Sequence, residues 1–533
     1  MSLSHLNFLI VDDISTMRSA MRRIVEDMEA VHISLCGTGE EAIEQMGAKT
    51  YDVVICDYNL GEGKDGQQVL EEARQRRLIG VSSAFVMVTA EAQRPMVLGA
   101  LEFQPDEYLV KPIQKDVAMH RIKRAIARKR DMKALDEALA ARDHARAITI
   151  CDKQAAANPA QALDLLRIKA ELCIVIGDYD QAEALYQQAL AERDFLWARF
   201  GLGKLQVLRE QYAEAQQSLE QLITDSAYVL EPYDWLAQAL EAQGAVEAAQ
   251  ATLQAATELS PKSVRRQRRL GDLAMRNGQT AVAETAYRRA IQEGRGSYLA
   301  SAGEYIELAA MLGARSMTKG LAALGEGRVA LRAHPGEELR IAVWQALTYA
   351  NNGLPKDAKR FLTQALQIFP RCSKDLPAES QLELARACLM LEETAQGVEI
   401  VKRAIREAYD NAELMERAAT LLKEFGIEED CAGIIDGARE EVARFNNMGV
   451  KLFEEGKSDE AARLLMVAAD RLPRNRTINM NAVKILLNMM LRNGPDEKHL
   501  ACTAKYLDRL CKLGDKSEQF REVQRTYREL LAA

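Results

Sequence analysis

Tyr51-Asp52-Val53-Val54-Ile55-Cys56-Asp57-Tyr58-Asn59 is an apolar run that stops at a carboxylate. Val53, Val54 and Ile55 are β-branched and nothing polar interrupts Val53 to Cys56, the pattern of a strand buried on both faces. Asp57 then sits at the carboxyl end of that strand, the edge of an open parallel α/β sheet at which ligands bind. A second such strand, Asn7-Phe8-Leu9-Ile10-Val11, ends in Asp12 and Asp13. If the two strands are neighbours, three carboxylates share one crevice. Carboxylates that close raise one another's pKa unless a cation sits among them. The donors are all hard oxygens and no His lies in these motifs, which points to Mg2+ rather than Zn2+. A strand-end Asp can also simply cap the next helix, which accounts for Asp13 alone but not for a pair plus a third.

Ala84-Phe85-Val86-Met87-Val88 is another buried strand and ends in Thr89, and Asp106-Glu107-Tyr108-Leu109-Val110 ends in Lys111-Pro112. Between the strands lie helical patterns. Ile14, Met17, Met21, Ile24, Val25 and Met28 fall on one helix face, and Ile113, Val117, Ile122 and Ile126 on another. Five strands alternating with five helices predict an α/β doubly wound, five-stranded parallel sheet.

On Asp12 and Asp13, Asp57, Thr89, Tyr108 and Lys111-Pro112, residues 5 to 128 resemble the receiver domain of a two-component response regulator, with a flavodoxin-like, CheY-like fold. The resemblance implies that Asp57 accepts a phosphoryl group from a histidine kinase or phosphotransfer protein. It implies Mg2+ held by Asp13, Asp57 and the backbone carbonyl of Asn59, with Asp12 assisting. Thr89 and Tyr108 would be the switch pair, and Lys111 the cation that meets the phosphoryl oxygens. Asn59 and Glu91 match the chemotaxis-type receivers, which implies comparatively quick self-dephosphorylation. Two stretches depart from the family. The loop Leu60-Gly61-Glu62-Gly63-Lys64-Asp65-Gly66 replaces the usual Met-Pro, and Leu101-Glu102-Phe103-Gln104-Pro105-Asp106 replaces the usual Gly-Ala-Asp. The glycines should loosen the first loop. The second departure leaves the family's dimer geometry, and with it a homodimer, open.

Of 533 residues, 48% are hydrophobic but only 5% aromatic, the balance of a long helical array. The net charge of -8 removes any bulk attraction to nucleic acid. Nine Cys are scattered with no Cys-x-x-Cys, and the chain has neither a signal peptide nor an 18-residue apolar run. A reduced, soluble, cytoplasmic protein with no membrane insertion is expected. Arg121, Lys123, Arg124, Arg128, Lys129 and Arg130 lie on a stretch that runs without Pro or Gly into Met132-Lys133-Ala134-Leu135, so a continuous or nearly continuous helical connection is predicted over 129–145. The basic cluster reads as a solvated helix face rather than a nucleic-acid patch.

From about residue 130 the chain repeats with a period near 34, the spacing at which it resembles tetratricopeptide helix-turn-helix units. One copy carries Ala170, Gly177, Tyr179, Ala182, Tyr186 and Ala189. Others carry Gly244, Ala249, Leu253 and Pro261, then Gly271, Gly278 and Tyr287, and far along Gly449, Gly456, Leu465 and Pro473. Small residues recur where helices must approach closely, a large one fills between them, and Pro, including Pro370 in a weaker copy, ends the second helix. The expected division is a receiver at 1–128, repeats at 146–296, an irregular helical segment at 297–336 and repeat-like helices at 337–533.

Such an array leaves a concave groove that binds peptides or proteins. Arg265 and Arg268 should face it, where guanidinium forks suit carboxylates. His144, His334 and His499 stand alone without metal-ligand spacing, and no catalytic constellation appears, so the chain is not expected to be an enzyme beyond self-phosphotransfer and self-dephosphorylation. The leading expectation is a phosphorylation-controlled adaptor whose repeats bind an unidentified protein. The alternatives are a modulator that binds the kinase or a sister regulator and, lacking an aromatic stacking platform, more remotely an RNA-binding regulator.

Overall fold

The computed structural model describes residues 3–89, 105–129, 131–408, 411–515 and 517–532. Strands β1 (Asn7–Val11), β2 (His32–Cys36), β3 (Val53–Asp57), β4 (Ala84–Thr89) and β5 (Glu107–Val110) form one parallel sheet in the order β2-β1-β3-β4-β5. Every residue of β3 and β4 is buried, as a central parallel strand requires. Val54, Cys56, Phe85 and Met87 pack on one face with Val69, Leu70 and Ala73 of α3 (Gly66–Gln75) and with α2 (Gly39–Ala48). Val53, Ile55, Val86 and Val88 pack on the other with α1 (Ser15–Glu26) and α4 (Lys115–Lys129). Each fully buried side chain of this size stabilises by about 1.5–3 kcal/mol. The two expected helix stripes are only partly internal. Ile14 precedes its helix at 50% exposure and Val117 is 44% exposed, while Ala118 and Ala125 take the inward positions. The helix expected between β4 and β5 lies outside the described residues.

The connection after the receiver is helical but interrupted, nearly continuous and not one unbroken helix. α4 stops at Lys129, α5 spans Lys133–Ala140, and Asp131 between them adopts φ +67. Asp is one of the few residues that enters this left-handed region routinely, so a sequence free of Gly and Pro still turns. The break is braced. The Asp136 carboxylate accepts from the Val81 and Ser82 amides, Arg77 donates to the Leu139 carbonyl, and Gln154 donates to the Asp131 carbonyl at 2.7 Å.

The chain divides into two compact units, one of Met1–Ala140, Ile150–Glu171 and Tyr179–Ala300, the other of Ala141–Thr149, Leu172–Asp178 and Ser301–Ala533. In the first unit the sheet is followed by helix pairs such as Leu196–Leu208 with Tyr212–Asp225, Glu231–Ala242 with Val246–Leu259, and Val264–Arg276 with Thr280–Gly294. A Cβ on Gly201 would lie 2.3 Å from the Tyr186 ring and one on Gly271 2.6 Å from Tyr287, so small and large residues interlock where the repeat demands it.

In the second unit three expectations need correction. The stretch 297–336 is not irregular but carries a helix pair, Ala302–Gly313 with Met317–Ala330. Its glycines serve close approach, since a Cβ on Gly320 would lie 2.8 Å from the Ala309 carbonyl oxygen and one on Gly327 2.6 Å from Tyr305. Pro370 does not itself end its helix, which runs from Pro355 to Cys372, but only two helical residues follow it, so the missing amide costs a single hydrogen bond in the last turn. Finally, Glu428–Glu454 is one helix of 27 residues, so the units expected at 411–443 and from 441 share a helix instead of a turn. No Gly or Pro lies between Ala438 and Met448 to stop it. No described helix is long and apolar enough to cross a membrane.

Candidate phosphoryl and metal site

Register places the acids together. Val11 pairs with both Cys36 and Cys56, so β1 and β3 end side by side and their next carboxylates converge. One oxygen from each of Asp12, Asp13 and Asp57 lies within 4.8 Å of the others, with Asp12 and Asp57 buried and Asp13 exposed. Lys111 reaches across from the end of β5, its Nζ 2.9 Å from Asp57 Oδ2 and 3.2 Å from Asp12 Oδ2. The following Lys111-Pro112 bond is cis. Burial pushes the Asp57 carboxyl above the usual carboxylate range, with Lys111 partly offsetting the shift. Burial alone would lower the Lys111 ammonium, but the hydrogen bond and charge of Asp57, then those of Asp12, outweigh it and raise it. Cys56, also buried, is held well above its ordinary value by burial and takes no part as a nucleophile.

These residues fit a hard divalent cation. Three convergent carboxylates carry more negative charge than Lys111 neutralises, the donors are all oxygen, and Asp13 faces solvent, leaving room for water ligands. Asn59 follows two residues after Asp57 on the same loop. Thr89 is buried at the end of β4, and its carbonyl accepts from the Lys111 amide at 2.8 Å. Tyr108 pairs with Met87 in register and so shares a sheet face with Thr89. Its hydroxyl is buried and, among the described residues, has no hydrogen-bond partner; burial raises its pKa. Glu91 lies outside the described residues.

The basic stretch after β5 has partners. Arg121 donates to the Tyr108 carbonyl at 2.6 Å, Arg124 pairs with Glu107, and Lys129 pairs with Asp106 at 2.9 Å. Half of the cluster is therefore committed to β5 and neither fully solvated nor free for phosphates.

The groove residues are split. Arg265 lines a cavity of about 1330 Å³ in the first unit, together with Trp197, Trp235, Gln68 and Glu71. Arg268 is not among its lining residues and donates to the Leu299 carbonyl at 2.8 Å. Arg266, which the sequence reading passed over, is 1% exposed and grips Asp234 with two nitrogens at 2.9 and 2.7 Å. Sequence reasoning singled out the loop Leu60–Gly66 but not the place of Asp65, Gln67, Gln68 and Glu71 in the cavity wall. The segment carried one readable signal, Asp65-x-x-Gln68, which forms a capping box at the start of α3.

Comparison with known proteins places two kinds of domain along the chain. The response regulator receiver domain model matches residues 8–123, and two tetratricopeptide repeat models match 176–227 and 236–298. The chain is similar to the chemotaxis protein CheY of Pseudomonas aeruginosa, 29% identical over 124 residues that span 23% of this chain and 98% of that protein. It is 28% identical over 120 residues to CheY of Listeria monocytogenes, spanning 22% of this chain and 98% of that one. A CheY-like receiver domain structure from Methanospirillum hungatei, 22% identical, overlaps 23% of this chain and 95% of its own with a TM-score of 0.22. Residues 8–123 are a response regulator receiver domain, and tetratricopeptide repeats follow it in the chain.

Proposed function

We propose that the chain is a response regulator phosphorylated on Asp57 by a histidine kinase or phosphotransfer protein, with its repeats delivering the signal by binding another protein. The observation that carries this reading is the placement of Lys111 against a buried Asp57 at the edge of the sheet, beside two further acids. The Asp57 carboxylate forms a P–O bond as the donor's P–N bond breaks, the imidazole keeping the bonding pair. Lys111, already beside the carboxylate, neutralises equatorial oxygen charge as it develops. Mg2+, when held by Asp12, Asp13, Asp57 and the Asn59 carbonyl, supplies the remaining positive charge. Thr89 and Tyr108 then act as the switch, the hydroxyl of Thr89 turning to the new acceptor oxygens and the Tyr108 ring following.

The functional division that goes with this reading is a receiver over 1–128, a braced connection over 129–145 and repeats beyond. The tetratricopeptide repeats at 176–227 and 236–298 support a protein-binding output. Affinity capture with the full chain tests it, comparing wild type supplied with acetyl phosphate and Mg2+ against Asp57→Asn treated alike. A partner whose recovery differs between the two supports the adaptor; identical partner sets remove the receiver from control.

A further inference from the structure

The first unit holds a polar contact between the receiver and one helix pair of the repeats. Lys262, in the turn before the helix Val264–Arg276, places Nζ 3.3 Å from the Tyr58 hydroxyl, 5.1 Å from the Tyr58 ring centre and 3.2 Å from Asp65 Oδ2. Gln68 donates to the Glu293 carbonyl at 3.1 Å and the Arg295 carbonyl at 3.3 Å, carbonyls left over where the helix Thr280–Gly294 ends. Lys64 donates to the Gly296 carbonyl and pairs with Glu72 at 2.9 Å. Both ends of the β3–α3 loop are thus tied to one repeat, and Tyr58 is the residue next to Asp57. Behind the contact, Gln67, Gln68 and Glu71 of the receiver form one wall of the 1330 Å³ cavity whose other walls carry Trp197, Trp235 and Arg265.

We infer that the β3–α3 segment of the receiver is the resident occupant of this repeat groove, and that phosphorylation of Asp57 releases it. The inference rests on the proposed function and adds the route and sign of control. Three features support release. The contact is made of hydrogen bonds and ion pairs, with the Lys64 and Lys262 side chains 14% and 34% exposed, and such bonds are exchanged for bonds to water on opening, which keeps their net worth modest. The loop is deformable, with Gly61 and Gly63 at φ +73 and +96. It is also tied to the switch strand, since the Tyr58 amide donates to the Val88 carbonyl at 2.7 Å, one residue before Thr89. A ligand and the receiver would then compete for one face, and by linkage the ligand would favour the phosphorylated form.

The test uses the full chain carrying Trp344→Phe, so that the remaining tryptophans, Trp197 and Trp235, both report on the cavity. Acrylamide quenching is measured with and without acetyl phosphate and Mg2+, while intact mass on the same sample reads phosphorylation. Lys262→Met and Gln68→Ala are measured without phosphate. Removing one charged set of bonds should shift the closed-to-open ratio by about tenfold. The inference predicts that quenching rises on phosphorylation and is already raised in both variants. Phosphorylated protein with unchanged quenching, or variants that quench like the parent, overturns it and leaves the proposed function standing. If the parent takes up no phosphate, the proposed function fails, and the two variants still decide whether the segment occupies the groove.

Discussion

Lys111→Met separates the electrostatics of the pocket from its packing. With Lys111 gone, Asp12 and Asp57 are buried and no more than 4.8 Å apart without compensation. At an effective dielectric constant of about 20 that repulsion is at least about 3.5 kcal/mol. Protonating one carboxyl instead costs about 4 kcal/mol at pH 7, given its ordinary pKa of 3.8. The lost Lys111 attraction adds to either, while relief of its own desolvation subtracts. The net should be a loss of about 2–4 kcal/mol, in line with breaking other buried pairs from one side. Hydrogen exchange of the Val53–Tyr58 amides in the full chain reads this locally, and protection should fall by about 100-fold without metal. Mg2+ should restore more protection in the variant than in wild type, because Lys111 no longer competes for Asp12 and Asp57 oxygens. Protection within about twofold of wild type, or no difference in the Mg2+ effect, would refute the electrostatic account.

Other consequences follow from single sites. Burial holds the folded-state pKa of Asp57 above its unfolded value, so metal-free stability is lost as pH rises through the interval from 3.8 to the raised value. Asp57→Asn removes that loss, and denaturant unfolding should show it gaining on wild type as pH rises above 3.8. Glu210 sits at φ +62 in the turn where Gly244 and Gly278 hold the equivalent position, so Glu210→Gly should stabilise the first unit by about 0.5–1 kcal/mol in urea unfolding. Gly201→Ala should do the reverse, by about 1–3 kcal/mol, because its Cβ would press on a Tyr186 ring held by the Glu171 carboxylate at 2.8 Å.

The strands that end in functional residues were legible because each is a short apolar run closed by a polar residue, a purely local signal. β2 was not, since His32-Ile33-Ser34-Leu35-Cys36 is an edge strand with only Cys36 fully buried. The repeats were readable through Gly and Tyr at fixed spacing. The stretch 297–336 was not readable in this way, because Gly320 and Gly327 are required by contact and not by a turn. The contact between Gln68 and the Glu293 carbonyl joins residues 225 apart through a side chain and a backbone oxygen, and no periodicity or composition marks such a pair. Asp131 shows the converse, a helix end set by one residue that sequence rules place equally well inside a helix.

The most direct test of the account is chemical. The full chain is incubated with Mg2+ and acetyl phosphate, reduced with borohydride to fix any aspartyl phosphate as homoserine, and mapped by peptide mass. The account predicts conversion at Asp57 and none in Asp57→Asn. No conversion in wild type, or conversion at another acid in its place, would contradict it.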